Sequence, residues 1–120
     1  MLNLDTHIVV SLLSGDLTSI EHRLVAGDSL AISDIVLWEL SKLVQLGRLV
    51  FDFEDSAFVA FHRSVTVFPI TIEIAQVSSD LDFKSDPADE IIAATSIVEG
   101  IPLLTRDRRI LQSKKVPLAR

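Results

Sequence analysis

Four carboxylates stand at element ends or inside apolar runs, where they are harder to explain as ordinary surface charge: Asp5, Glu39, Asp89 and Asp107. Asp5 closes the short apolar run Leu2-Asn3-Leu4. Glu39 interrupts Ile35-Val36-Leu37-Trp38-Glu39-Leu40, where almost every neighbour is apolar. Asp89 falls in the first turn after Asp86-Pro87, and Asp107 follows Leu103-Leu104-Thr105. A buried, unpaired carboxylate costs several kcal/mol or stays protonated. Four of them in one place repel one another unless a cation sits among them. An all-oxygen donor set selects a hard cation, Mg²⁺ or Mn²⁺. Such a centre suits phosphate chemistry, because the ion neutralises phosphate charge and acidifies water.

Each acid also has a plainer reading. Asp5 and Asp107 can cap the helices that follow them. Asp86 reads better as a cap than as a ligand. Asp89 and Glu90 suit the positive end of a helix, where a carboxylate gains roughly 0.3–1 kcal/mol. Glu39 is left with a pairing to Lys42, three residues on. Thr6, Ser33 and Thr105 adjoin the acids, and their hydroxyls could orient water or phosphate or simply cap helices.

Other chemistries lack their residues. There is no cysteine, which excludes disulfides, thiolate zinc sites and cysteine nucleophiles. His7, His22 and His62 show no zinc-ligand spacing. No serine nucleophile elbow and no glycine-rich phosphate loop is present. Gly15, Gly27, Gly47 and Gly100 fall at element ends. Trp38 and the six phenylalanines read as core or interface rather than as base-stacking platforms.

The elements that must position the acids follow from periodicity and punctuation. Strands are expected at Leu2–Leu4, Leu30–Ile32, Val65–Phe68 and Ile101–Thr105, with a possible last strand at Val116–Leu118. Helices are expected over Thr6–Leu13, Leu17–Ala26, Ile35–Leu46, Glu54–His62, Thr71–Leu81, Ala88–Glu99 and Asp107–Gln112. Proline at the first helical position after Asp86 marks a helix start. Short apolar strands alternating with helices predict an α/β fold, a three-layer α/β/α sandwich around a mainly parallel sheet. In such sheets ligands bind beyond the carboxyl ends of the strands, the edge where all four acids fall.

With 120 residues, 48% of them apolar and 23% charged, the chain is expected to fold as one globular domain over residues 1–120. No apolar stretch reaches the roughly 18 residues of a membrane span. The N-terminus lacks a basic leader segment, so it does not read as a secretory signal. Together with the missing cysteines this fits a reducing, cytoplasmic setting. The formal charge of −6 disfavours a DNA-coating protein. The charge is uneven: residues 106–120 carry six cationic side chains against Asp107 alone, while the remainder holds five against sixteen acids. That tail is either a solvated end or a strip that contacts phosphates.

Four segments occur in order along nearly the whole chain: Leu4-Asp5-Thr6-His7, Ile32-Ser33 through Leu37-Trp38-Glu39-Leu40, Asp86-Pro87-Ala88-Asp89-Glu90-Ile91-Ile92-Ala93-Ala94-Thr95, and Leu104-Thr105-Arg106-Asp107. In these the sequence resembles PIN-domain nucleases, specifically the VapC-type toxins of bacterial toxin–antitoxin pairs. The resemblance implies an α/β/α fold, with Asp5, Glu39, Asp89 and Asp107 around one or two Mg²⁺ or Mn²⁺ ions and Asp86 as a subsidiary acid. It implies hydrolysis of RNA leaving 5′-phosphate and 3′-hydroxyl ends, a homodimer, and inhibition by a cognate antitoxin. Ala88 stands where such relatives often carry an aromatic residue, and Glu90 where they often carry a basic one. An acid at 90 alters the field beside Asp89. Two other functions are compatible with the same pattern. One is a phosphoryl-transfer enzyme using Asp5 as nucleophile, although His7 holds the place of its usual second aspartate. The other is an interaction module that keeps the fold without the chemistry.

Overall fold

The computed structural model describes residues 1–120. In chain order the elements are β1 (Leu2–Leu4), α1 (Thr6–Ser14), α2 (Ser19–Ala26), β2 (Leu30–Ser33), α3 (Ile35–Gln45), α4 (Ser56–Ser64), β3 (Thr66–Phe68), α5 (Ile72–Ser78), α6 (Pro87–Glu99), β4 (Leu103–Leu104) and α7 (Arg108–Leu111). The strands form one sheet in the order β3-β2-β1-β4. All three pairings are parallel, with Asn3 opposite both Ala31 and Leu103 and with Ala31 opposite Thr66. The chain winds from β1 toward β2 and β3, then returns to add β4 on the other side of β1. The crevice between β1 and β4 is therefore the point where the winding reverses, the usual ligand site of such sheets.

Every residue of β1 and β4, and all of β2 beyond Leu30, is buried, as a sheet covered on both faces requires. Side chains alternate along a strand. Asn3 faces α6, donating through Nδ2 to the Ile92 carbonyl (3.2 Å) and to Ser96 Oγ (2.9 Å). Leu2 and Leu4 therefore face the opposite layer. The core joins these strand residues to Ile8 and Val9 of α1, Val36 and Leu40 of α3, Phe58 and Phe61 of α4, Ile92 and Ala93 of α6, and Ile110 of α7. The buried face of α6 includes Ala88, Ala93, Ala94 and Ser96, small side chains that let the helix lie close to the sheet. No helix is long and apolar enough to cross a membrane.

The element boundaries move where side chains cap. The second helix starts at Ser19 rather than Leu17, because Thr18 and Glu21 form a reciprocal box: Glu21 N donates to Thr18 Oγ1 (3.2 Å) and Thr18 N to Glu21 Oε1 (2.9 Å). The fourth starts at Ser56 rather than Glu54, with Asp55 accepting from Ala57 N at 3.1 Å. The expected last strand shrinks to a single parallel bridge between Leu103 and Leu118. Phe51 and Phe53 meet Phe58 edge to face at 5.1 and 5.3 Å between ring centres, so these aromatics are packing residues. Trp38 stands half exposed with the Lys42 ammonium 5.7 Å from its ring centre.

Candidate active site

Three of the four acids converge. Asp5, Glu39 and Asp89 each present a carboxylate oxygen within 4.8 Å of the other two. They come from different elements: the end of β1, the second turn of α3 and the first turn of α6. Asn3, two residues before Asp5, ties β1 directly to α6 and so helps fix Asp5 relative to Asp89. No lysine or arginine pairs with any of the three; the salt bridges of the molecule are Met1 with Asp28 and Arg106 with Glu21.

Each acid is held by one hydroxyl. Thr105 Oγ1 donates to Asp5 Oδ2 at 2.6 Å. Thr6 Oγ1 donates to Glu39 Oε1. Ser85 Oγ donates to Asp89 Oδ2 at 3.1 Å. The two threonines, which sequence reading leaves open between contacts to water or phosphate and caps, orient the carboxylates, and Thr105 Oγ1 also accepts from Asp107 N at 3.0 Å. Ser85 escapes that reading because a serine in a polar turn carries no distinguishing signal. Ser33 does act on the backbone, its Oγ accepting from Ile35 N at 3.3 Å.

Burial and crowding act on these groups in the same sense. Asp5 is 1% exposed, and burial pushes its carboxyl above the usual range. Glu39 is also raised, first by burial and further by the nearby Asp5 charge. Asp89 is pushed up to about 6, chiefly by burial and then by the charges of Asp5 and Glu39. Hydrogen bonds from Thr105, Thr6 and Ser85 oppose these shifts without cancelling them. Three carboxylates that resist ionisation together, with no lysine or arginine paired to them and only the charge of His7 nearby, form a donor set suited to a hard divalent ion.

Asp107 lies at the edge of this group. Its charge reaches Asp5 and Asp89, yet its oxygen does not join the tight cluster. It caps α7, with Oδ1 accepting from Arg109 N (2.8 Å) and Ile110 N (3.3 Å). Asp86 departs from expectation. It occupies the N-cap position of α6 but makes no side-chain cap bond. Glu90 reaches back instead, its Oε2 accepting from Ser85 N at 3.3 Å. Nor does Glu39 pair with Lys42, whose ammonium donates to Gln45 Oε1 at 3.0 Å. Asp5 both caps and clusters: its Oδ1 accepts from Thr6 N at 2.8 Å while the carboxylate faces its two neighbours.

A sequence model of the PIN domain matches residues 3–116. The chain belongs to the PIN-domain family. Ribonuclease VapC22 of Mycobacterium tuberculosis is 33% identical to this PIN domain over 96 residues, spanning 77% of this chain and 70% of that protein. The fold is shared with solved structures at lower identity. A VapBC2 complex from Rickettsia felis, crystallised with a promoter DNA fragment, superposes with a TM-score of 0.75 at 21% identity, covering 99% of this chain and 98% of the other. A toxin–antitoxin complex from Klebsiella pneumoniae superposes at 0.74 with 19% identity, covering 99% and 97%. The PIN segments expected from sequence therefore lie within the matched region, and the parallel α/β/α architecture they imply is the one observed.

Proposed function

We propose that this PIN domain is a divalent-metal-dependent endoribonuclease and the toxin of a toxin–antitoxin pair, restrained by a cognate antitoxin. The observation that carries the reading is the meeting of Asp5, Glu39 and Asp89 within 4.8 Å, at the sheet's switch point and without a salt bridge to any of them. The similarity to a ribonuclease at 33% identity supports RNA as the substrate, and the toxin–antitoxin neighbours support the partner.

In this reading Asp5, Glu39 and Asp89 hold Mg²⁺ or Mn²⁺, with Asp107 completing the acidic rim. The ion supplies the charge that lets a phosphodiester enter an acidic pocket and polarises water. The protein's own part is orientation. Thr105, Thr6 and Ser85 fix one oxygen of each acid, leaving Glu39 Oε2 and Asp89 Oδ1 free to face a ligand. Such supporting contacts keep a site in productive geometry at no cost during reaction. Water adds to phosphorus, the bond from phosphorus to the 3′-oxygen breaks, and that oxygen takes a proton. The products carry a 5′-phosphate and a 3′-hydroxyl.

The test is incubation of the purified chain with assorted RNAs in Mg²⁺, Mn²⁺ or EDTA, with mapping of the product ends. Metal-dependent cleavage leaving 5′-phosphates, and its loss in Asp89→Asn, is the expected result. Cleavage that persists in EDTA, or that leaves 2′,3′-cyclic phosphates, overturns the reading.

A further inference from the structure

The cations of the C-terminal strip are not equivalent. Arg106 is committed: Nε and Nη2 donate to the two oxygens of Glu21 at 2.8 and 2.7 Å, and Nη2 also meets the Asp16 carbonyl. Lys115 donates to the Asp80 carbonyl at 2.9 Å. Arg109 is exposed and pairs with no carboxylate; Nη1 makes only a long contact, 3.5 Å, with the Lys84 carbonyl. Lys84 is likewise exposed and unpaired. Both line one open cavity of about 260 Å³, together with Asp82, Phe83, Gln112 and Ser113. Asp82, the acid in that cavity, is taken up by the opposite turn: Oδ1 accepts from Ser113 Oγ at 2.6 Å and Oδ2 from Lys114 N at 2.7 Å.

The place of this cavity gives it a role. Lys84 directly precedes Ser85, whose hydroxyl holds Asp89. Arg109 lies on α7, its own backbone N–H capped by Asp107. These two cations sit close in sequence to Asp89 and Asp107, Lys84 on the loop leading into α6 and Arg109 on α7, and the contact of Arg109 with the Lys84 carbonyl links the two segments; Arg108 and Lys114, also exposed and without a salt bridge, do not line the cavity. We propose that Lys84 and Arg109 form a phosphate-binding subsite for the RNA backbone flanking the cleaved bond. The subsite rests on the nuclease reading above and adds to it how a polyanion is held against an acidic domain. Phosphate contacts of this kind position a strand without reading its sequence.

The test uses Lys84→Gln, Arg109→Gln and the double variant against two substrates with Mn²⁺. One is a single-stranded RNA. The other is bis(4-nitrophenyl) phosphate, a diester with no flanking phosphate. Two lost contacts on a single strand flatten the log–log salt dependence of binding by about 1.4, which corresponds to roughly tenfold weaker binding near physiological salt. The double variant is expected to raise the KM for RNA about tenfold, with kcat, cleavage position and diester hydrolysis unchanged. A parallel loss on both substrates indicates a purely structural role and overturns the subsite. Unchanged RNA kinetics with weakened self-association also overturns it, assigning the cations to a protein interface. If Asp89→Asn abolishes RNA cleavage while the double variant has no effect, the nuclease reading stands and the subsite alone falls. If the wild type cleaves neither substrate, both fall.

Discussion

Replacing Asp89 by Asn is expected to stabilise the metal-free protein, and only at the right pH. The carboxyl of Asp89 titrates near 6 in the folded chain, against an ordinary value of 3.8. A difference of about two units corresponds to about 3 kcal/mol. Asp89 is only half buried, so solvent screening reduces this to about 1–2 kcal/mol. The sign follows from proton linkage. Between pH 4 and 6 the folded state holds a proton that the unfolded state has released, so stability falls as pH rises through that window. Below it the acid is neutral in both states and carries no penalty; above it the penalty is complete. Asn is neutral throughout and still accepts the bond from Ser85 Oγ. Urea unfolding in EDTA should therefore find the two proteins within error at pH 4 and the variant more stable by about 1–2 kcal/mol at pH 7.5. For a chain of 120 residues that is a rise of about 4–8 °C in melting temperature. A variant less stable than wild type at pH 7.5 in EDTA, or an advantage of the same size at pH 4, would falsify the burial of Asp89 beside the charges of Asp5 and Glu39.

Two further perturbations probe the supports. Thr105→Val keeps the shape but removes the hydroxyl that holds Asp5; loss of such a supporting contact should lower cleavage or metal affinity by about 10–100-fold, read from kcat and from Mn²⁺ titration. Arg106→Ala breaks the ion pair that joins α2 to the segment between Thr105 and Asp107. The Arg106 side chain is 42% exposed, so the expected loss is about 1 kcal/mol at pH 7. Glu21 is depressed from 4.5 to about 2, first by its bond from Arg106. The pair's contribution is therefore complete above pH 4.5 and lost as pH falls toward 2, and chemical unfolding of wild type and variant should converge there. A gap that stays constant across this range would show that the residue acts through packing instead.

What could be read from the sequence depended on how local its cause is. Glu39 announces itself because an acid among Val36, Leu37, Trp38 and Leu40 has no cheap local explanation. Asp5, Asp89 and Asp107 are legible because strand ends and a proline-led helix start fix their place at one edge of a parallel sheet. The supports leave no sequence signal because they are long-range. Thr105 and Asp5 are 100 residues apart, Arg106 and Glu21 are 85 apart, and Asn3 reaches Ser96 across 93. Asp86 shows that a cap signal fixes position and not bonding: it stands at the N-cap of α6 without a side-chain bond, and the acid that binds backbone there is Glu90, through Ser85 N. Arg106 illustrates the limit of charge counting, since its formal charge belongs to the basic strip while its side chain is spent on Glu21.

Mn²⁺ titration of the wild type and of Glu39→Gln, followed by the loss of the free-ion electron paramagnetic resonance signal, tests the proposed metal centre most directly. Glu39 caps no helix and makes no salt bridge, so its amide leaves the fold intact while removing one charged ligand. Saturable binding by the wild type that weakens by an order of magnitude or more in Glu39→Gln is the predicted result. Equal binding by the two proteins, or none by the wild type, would contradict a divalent-metal centre at Asp5, Glu39 and Asp89.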